Sequence, residues 1–280
     1  MKVDLDDRKI LQNAEKSLII KFSKFCEEND LNYFLMGGSL LGAVRHQGFI
    51  PWDDDIDVGM PRPDYEKLQK LMSQQQNKID DFPFTTFKNS TTTEYVARLE
   101  NPQVKIVDRS ASIAEQRNSW MDIFPLDGMP RSPFFRKVHG YNLLRLRLML
   151  KYSEFDRVSV NMTERPWIEK VFIKLGKIVK PEKHLDTKKC LADLDRALQR
   201  FPYQRANYVV NFMGAYKLNE MFPKKVYQGF NLYDFENLKL RGTKFYDEVL
   251  TQMYGENYME PPSAQIKNKH FTEVVKSNEK

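Results

Sequence analysis

Four aspartates crowd into five residues, Asp53, Asp54, Asp55 and Asp57, downstream of a Gly37-Gly38-Ser39 turn. On an extended strand, side chains two residues apart share a face, so Asp55 and Asp57 would converge while Ile56 and Val58 enter a core. At ~4 Å two ionised carboxylates repel by ~4 kcal/mol at an effective dielectric of about 20. Such a pair shares a proton or holds a cation, and an all-oxygen donor set suits Mg²⁺ or Mn²⁺. The plain alternative is a solvated acidic turn, against which the alternation with Ile and Val argues. Gly37, Gly38 and Ser39 lie between an apolar strand, Tyr33 to Met36, and a short helix, Leu40 to Arg45, that Ser39 would cap. Such a turn lets backbone approach a ligand and offers N–H groups to a phosphate. Metal-assisted transfer at phosphorus needs one more carboxylate, to align the attacking hydroxyl or complete the metal shell. Asp122, in Trp120-Met121-Asp122-Ile123-Phe124, is the candidate. Asp127, just before Gly128, reads as a capping or turn aspartate, and Asp108 ends its strand beside Arg109.

Other metal patterns fit less well. An EF-hand loop starting at Asp53 needs glycine at its sixth position and finds Val58. Asp53, Asp54 and Asp57 satisfy the Asp-Asp-x-x-Asp spacing of prenyl-diphosphate enzymes, but the strand, the Gly-Gly turn and Pro51 do not suit a helical bundle. The Asp-x-Asp of a nucleotide-sugar glycosyltransferase stays open, as does a non-enzymatic metal- or polyanion-binding module. Cys26 and Cys190 are too few for a disulfide framework or a structural zinc site.

These residues need a scaffold. Leu11, Ala14, Leu18, Phe22 and Phe25 mark an amphipathic helix with Asp4, Asp6 or Asp7 to cap it, and Pro63 and Asp64 open a second helix to Gln75. Short strands are expected at 84–87, 95–99, 104–107 and 120–124. Helices follow at 133–152, 166–179 and 186–199, then a hairpin around 233–237 and a helix over 244–254. The expected class is α+β, a mixed sheet with flanking helices and a helical insertion. It divides into a catalytic core (1–130), a basic helical segment (131–205), a remainder packing on the core (206–262) and a polar tail (263–280).

The chain has 280 residues, 41% hydrophobic and 29% charged, which excludes disordered and collagen-like readings. Its longest uncharged stretch, Leu31 to Val44, is too short to cross a bilayer. Acids stand in MKVDLDDRK where a signal peptide needs basic and then apolar residues, so a soluble, cytoplasmic protein is expected. The net charge of +6 is uneven: residues 131–180 carry twelve basic and four acidic side chains, a local +8 that leaves −2 elsewhere. That pattern suggests one polyanionic partner surface. No recognition helix, aromatic RNA-binding motif or zinc finger supports nucleic acid.

The run Gly37 to Met60 (GGSLLGAVRHQGFIPWDDDIDVGM) resembles the signature of the LicD family and is similar in part to fukutin-related proteins. Asp122 within Met-Asp-Ile-Phe-Pro-Leu-Asp, and Tyr254-Gly255-Glu256-Asn257-Tyr258-Met259 with Pro261-Pro262, resemble later blocks of that family. The resemblance implies a nucleotidyltransferase-like core and transfer of phosphocholine from CDP-choline to a sugar hydroxyl of a cell-surface glycan. In such bacterial families the acceptor is teichoic acid or another surface polysaccharide. It implies Asp55 and Asp57 as Mg²⁺ ligands, Asp122 as the third acid, and Gly37, Gly38 and Ser39 as the phosphate-side turn. The cysteine cluster that binds zinc in the fukutin-related branch is absent. Arg45 is then a candidate for a phosphate contact, with a helix-surface charge as the alternative, and His46 a loop hydrogen-bonder. Trp52 and Trp120 are candidate aromatic walls for a quaternary ammonium. In the helix at 133–152, Phe134, Val138, Tyr141, Leu148 and Tyr152 fall on one face, with Arg136, Arg147 and Lys151 on the other. A lipid-linked glycan acceptor and peripheral contact of residues 131–180 with the inner membrane face would explain the local charge.

Overall fold

The computed structural model describes residues 5–90, 92–108, 115–155, 181–261 and 272–275. The class is α+β: helices flank a curled mixed sheet. Its central path runs β1 (Phe34–Leu35), β2 (Asp57–Pro61), β6 (Glu115–Met129), β5 (Ala97–Asp108), β4 (Phe82–Thr85) and β3 (Lys78–Ile79). β2 and β6 run parallel, and the other pairs are antiparallel. The far end of β6 pairs with β7 (Tyr208–Val210), which carries β8 (Met221–Pro223), so strands on both sides of residue 130 share one sheet. β9 (Phe230–Phe235) and β10 (Leu238–Thr243) form the hairpin expected near 233–237, and β11 (Thr272–Val274) pairs with β5.

Two expected strands merge. The residues expected at 95–99 and 104–107 lie in one strand, β5, broken by a bulge between Asn101 and Lys105. There the Asn101 side chain accepts from Gln103 N at 3.0 Å, closing a local turn that reads in sequence as a loop.

Helix α1 (Leu5–Glu28) buries Leu18, Ile19 and Phe22 in the main core, against α2 (Gly37–His46), α3 (Arg62–Gln74) and the sheet. α4 (Pro133–Ser153) and α5 (Thr187–Leu198) form a second core with Met129, Val210 and Phe212. α6 (Tyr246–Tyr254) returns to the main core. The helix expected at 166–179 lies outside the described residues.

A buried ion-pair network ties the two cores. Arg62 reaches both oxygens of Asp127 at 2.7 Å, and Tyr95 donates its hydroxyl to Asp195 Oδ1 of α5 at 2.7 Å while accepting from Arg62 at 3.0 Å. Asp127 is therefore neither a cap nor a turn residue: it sits within β6, opposite Val210, and neutralises a buried guanidinium.

Candidate active site

The site forms where β2 begins, alongside the middle of the parallel strand β6. In β2 and β6, Asp57 stands directly opposite Asp122, and Asp122 in turn opposes Arg98 of β5, which opposes Thr85 of β4. Cross-strand partners share a face, so one row of the sheet reads Thr85, Arg98, Asp122, Asp57. Arg98 Nε donates to Asp122 Oδ1 at 2.9 Å.

Asp55 is placed differently from the expected alternating strand. β2 starts only at Asp57, because Ile56 N donates to the Glu15 carboxylate of α1 at 3.2 Å rather than to a neighbouring strand. Asp55 thus belongs to the loop leading in. Among the described residues, carboxylate oxygens of Asp53, Asp54 and Asp55 come within 4.8 Å of one another. Asp53, Asp55 and Asp122 also lie near enough to Asp57 to act on its charge.

Ser39 does not cap its helix. α2 starts two residues earlier, at Gly37 (φ +49°), and the Ser39 hydroxyl accepts from Asp57 N at 2.8 Å, locking the first turn of α2 onto the start of β2. A Cβ at position 38 would stand 2.7 Å from Asp53 Oδ2, so Gly38 leaves room for an aspartate of the acidic loop. A Cβ at position 37 would stand 3.7 Å from the Tyr254 hydroxyl, which brings the end of α6 beside the turn.

The acidic loop is held from behind by one face of α1. Arg8 Nη1 donates to Pro51 O at 3.0 Å and Gln12 Nε2 to Asp53 O at 2.8 Å, while Glu15 accepts from Ile56 N. These three residues are spaced four and three apart, one helical stripe. Glu15 is 2% exposed, and its carboxyl is pushed well above the usual range by burial and by Asp55, with smaller contributions from Asp122 and Asp57. Loss of water and then Asp55, Asp122 and Asp53 likewise raise Asp57. Burial raises Asp122 although Arg98 opposes it. Carboxyls thus gathered repel unless a proton or a cation lies among them. The sequence signal for Glu15 was an acid four residues after Leu11, inside the apolar stripe of α1.

The remaining candidates surround this centre. The Arg98 guanidinium lies 4.3 Å over the Trp120 ring, so that face already holds a cation. Arg45 approaches Trp52 at 5.9 Å, with His46 edge-on to the same ring at 6.3 Å. Arg45 Nη1 is engaged by Tyr258 O at 2.6 Å, fastening α2 to the segment after α6. Beside Asp122 on the sheet lies an open polar cleft of about 740 Å³, lined by Thr85, Glu94, Arg98, Arg117 and Trp120 among others. Its residues come from β4, β5 and β6 and the turn before β5, distant in sequence from the Gly-Gly-Ser run, and Trp120 apart no sequence motif marks them.

Comparison with known proteins matches the segment that carries these strands. Residues 30–132 match the model of the LicD/FKTN/FKRP nucleotidyltransferase domain. The chain is similar to the lipopolysaccharide cholinephosphotransferase LicD of Haemophilus influenzae, at 27% identity over 260 residues, 90% of this chain and 92% of that protein. A shorter similarity, 40% identity over 55 residues, joins 20% of this chain to 11% of the human ribitol 5-phosphate transferase FKRP. An uncharacterized protein of Rickettsia prowazekii shares 49% identity over 47 residues, 17% of this chain and 18% of that protein. The strand pair that sets Asp57 opposite Asp122 lies wholly inside residues 30–132, the segment that matches the LicD/FKTN/FKRP nucleotidyltransferase domain.

Proposed function

We propose that this protein is a metal-dependent phosphotransferase acting on glycans, which moves phosphocholine from CDP-choline to a sugar hydroxyl of a cell-surface polysaccharide and releases CMP. The observation that carries this reading is the row Arg98–Asp122–Asp57 beside the Asp53–Asp55 loop. It is an acidic centre on the matched domain, next to an open cleft. Similarity to a lipopolysaccharide cholinephosphotransferase along nine-tenths of the chain supports the phosphoryl group and the class of acceptor.

Mg²⁺ or Mn²⁺ fits the residues present. Every candidate donor is a carboxylate oxygen, and Asp57 carries a built-in repulsion that a dication relieves. Asp55, Asp57 and Asp122 would hold the ion, with Asp53 at hand. Once bound, the ion supplies charge neutralisation for the phosphate oxygens and the departing CMP.

The protein's own groups do the rest. Asp122, its carboxyl raised by burial, aligns the acceptor hydroxyl and takes its proton as the new P–O bond forms and the bond to CMP breaks. Arg98 fixes the orientation of Asp122, and Ser39 fixes the backbone of Asp57. Gly37 and Gly38 present the start of α2 to the diphosphate, and Trp52 offers an aromatic wall to the choline.

The test is incubation with Mg²⁺, a surface glycan and either CDP-choline, CDP-ribitol or a nucleotide sugar, with CMP or nucleotide release as the readout. CMP and a phosphocholine-bearing glycan are expected from CDP-choline alone. Release only from the nucleotide sugar would replace this reading by a glycosyltransferase, and release only from CDP-ribitol would change the donor.

A further inference from the structure

Helix α4 exposes the wrong kind of surface for a helix facing water. Among the described residues, ten large hydrophobic side chains are exposed, and five of them are on α4: Phe134 (67%), Phe135 (60%), Val138 (51%), Tyr141 (71%) and Leu148 (46%). Phe134, Val138, Tyr141 and Leu148 follow the helical repeat and form one outward stripe, opposite the buried face of Leu143, Leu146 and Leu150. The helix is therefore apolar on two sides, whereas a core-packed helix needs only one.

Charge says what the second side meets. The 21 residues of α4 contain Arg136, Lys137, Arg145, Arg147 and Lys151 and no acid. Arg136 and Arg147 turn inward: one guanidinium lies 4.1 Å over the Tyr208 ring and the other donates to Phe212 O at 2.5 Å. Lys137, Arg145 and Lys151 are exposed and flank the aromatic stripe. Aromatic and aliphatic side chains bordered by basic ones, on a rigid anchored helix, match the interface of a bilayer with anionic headgroups. None of the helices described is long and apolar enough to cross a membrane, so contact of this kind is peripheral.

The geometry points to α4 as a membrane-docking helix that seats its Phe134–Leu148 stripe in an anionic lipid surface. This goes beyond the proposed reaction and does not depend on which donor is used. The buried face of α4 packs in the second core, whereas Asp57 and its neighbours border the main core, so docking of the stripe leaves the acidic centre untouched.

The test uses the full chain and vesicles of phosphatidylcholine with or without phosphatidylglycerol. Cosedimentation with the anionic vesicles is expected, and protection of amides 134–148 from hydrogen exchange upon their addition. Partition should fall about tenfold in Phe134→Ser/Tyr141→Ser and in Lys137→Glu/Arg145→Glu, with CMP release from a soluble acceptor unchanged. Absence of vesicle binding, or binding that both variants retain, would overturn the proposal. A dimer in solution that Phe134→Ser/Tyr141→Ser splits would assign the stripe to a second copy. Should the variants fail to fold, hydrogen exchange on the unmodified chain decides.

Discussion

The acidic centre and the outer face of α4 depart from the usual distribution of side chains in opposite directions. At the centre, carboxyls are drawn out of water and toward one another, and Glu15 is almost wholly covered. On α4, aromatic and aliphatic side chains are pushed into water. Each arrangement costs stability, and the rest of the fold offsets it with two ordinary cores joined by the Arg62 network. Places where local rules fail while the surroundings obey them are where function is sought. The two differ in what they gather: one concentrates carboxyls around Asp57, the other exposed apolar side chains.

The sharpest way to break this contrast is at Asp57 and Asp122. Asp57→Asn or Asp122→Asn should lower CMP release by at least ~10³-fold, if the centre works by metal and base. For Asp57→Asn thermal stability should be equal or higher, because Asp57 sits among like charges. Lost activity with a lowered melting temperature would make Asp57 a structural residue instead.

Arg62 tests whether the regions stand on a common frame. Arg62→Met leaves Asp127 buried without its cation and should cost about 3–5 kcal/mol in denaturant unfolding. A loss confined to one core, seen as two separate transitions, would show that the regions fold independently.

Glu15 separates position from charge. Glu15→Gln keeps an acceptor for Ile56 N, whereas Glu15→Ala removes it, at a cost of about 1–3 kcal/mol in denaturant unfolding and with a fall in the rate of CMP release. Retained rate in the glutamine variant and a fall in the alanine variant are expected if α1 positions the loop. Equal falls would make the charge itself the contribution, and Mn²⁺ affinity measured by calorimetry would fall with it.

The smallest effect is on the inner side of α4. His139 is buried against Phe201, and burial, aided by Arg200, brings its pKa down to about 4 from 6.5. The unfolded chain therefore binds a proton between pH 6.5 and 4 that the folded chain refuses, so stability present above 6.5 is lost as pH falls through this window. Over that range His139 pulls the melting temperature down against the raised carboxyls of Glu15, Asp57 and Asp122, so His139→Leu should show a smaller fall, or a steeper rise, on acidification than the unmodified chain. An unchanged slope would assign the acid sensitivity to other groups.

Much of this was legible in the chain. The α+β class, the long helices and the hairpin near residue 235 follow from apolar periodicity and turn residues, which are local properties. The acidic run was visible because four aspartates in five residues need no fold to be noticed. The strand start was misplaced by two residues, since a side chain from α1, 41 positions away, takes the Ile56 N–H. Asp127 looked like a turn because its partner Arg62 is 65 residues distant. Helix α4 showed its basic and apolar residues in sequence, but a helix with apolar residues on two sides does not say which of them faces the core.

The sequence by itself determined the chemistry available: a hard-oxygen acidic cluster, a Gly-Gly-Ser turn and a concentrated basic segment, all carried by residue type at short spacing. Tertiary structure decided the pairings. A parallel strand pair set Asp57 against Asp122, α1 supplied Glu15 behind them, guanidinium groups approached both tryptophans, and packing on α5 turned the aromatic stripe of α4 outward. Contacts between residues tens of positions apart depend on where whole elements dock, and no local spacing encodes that.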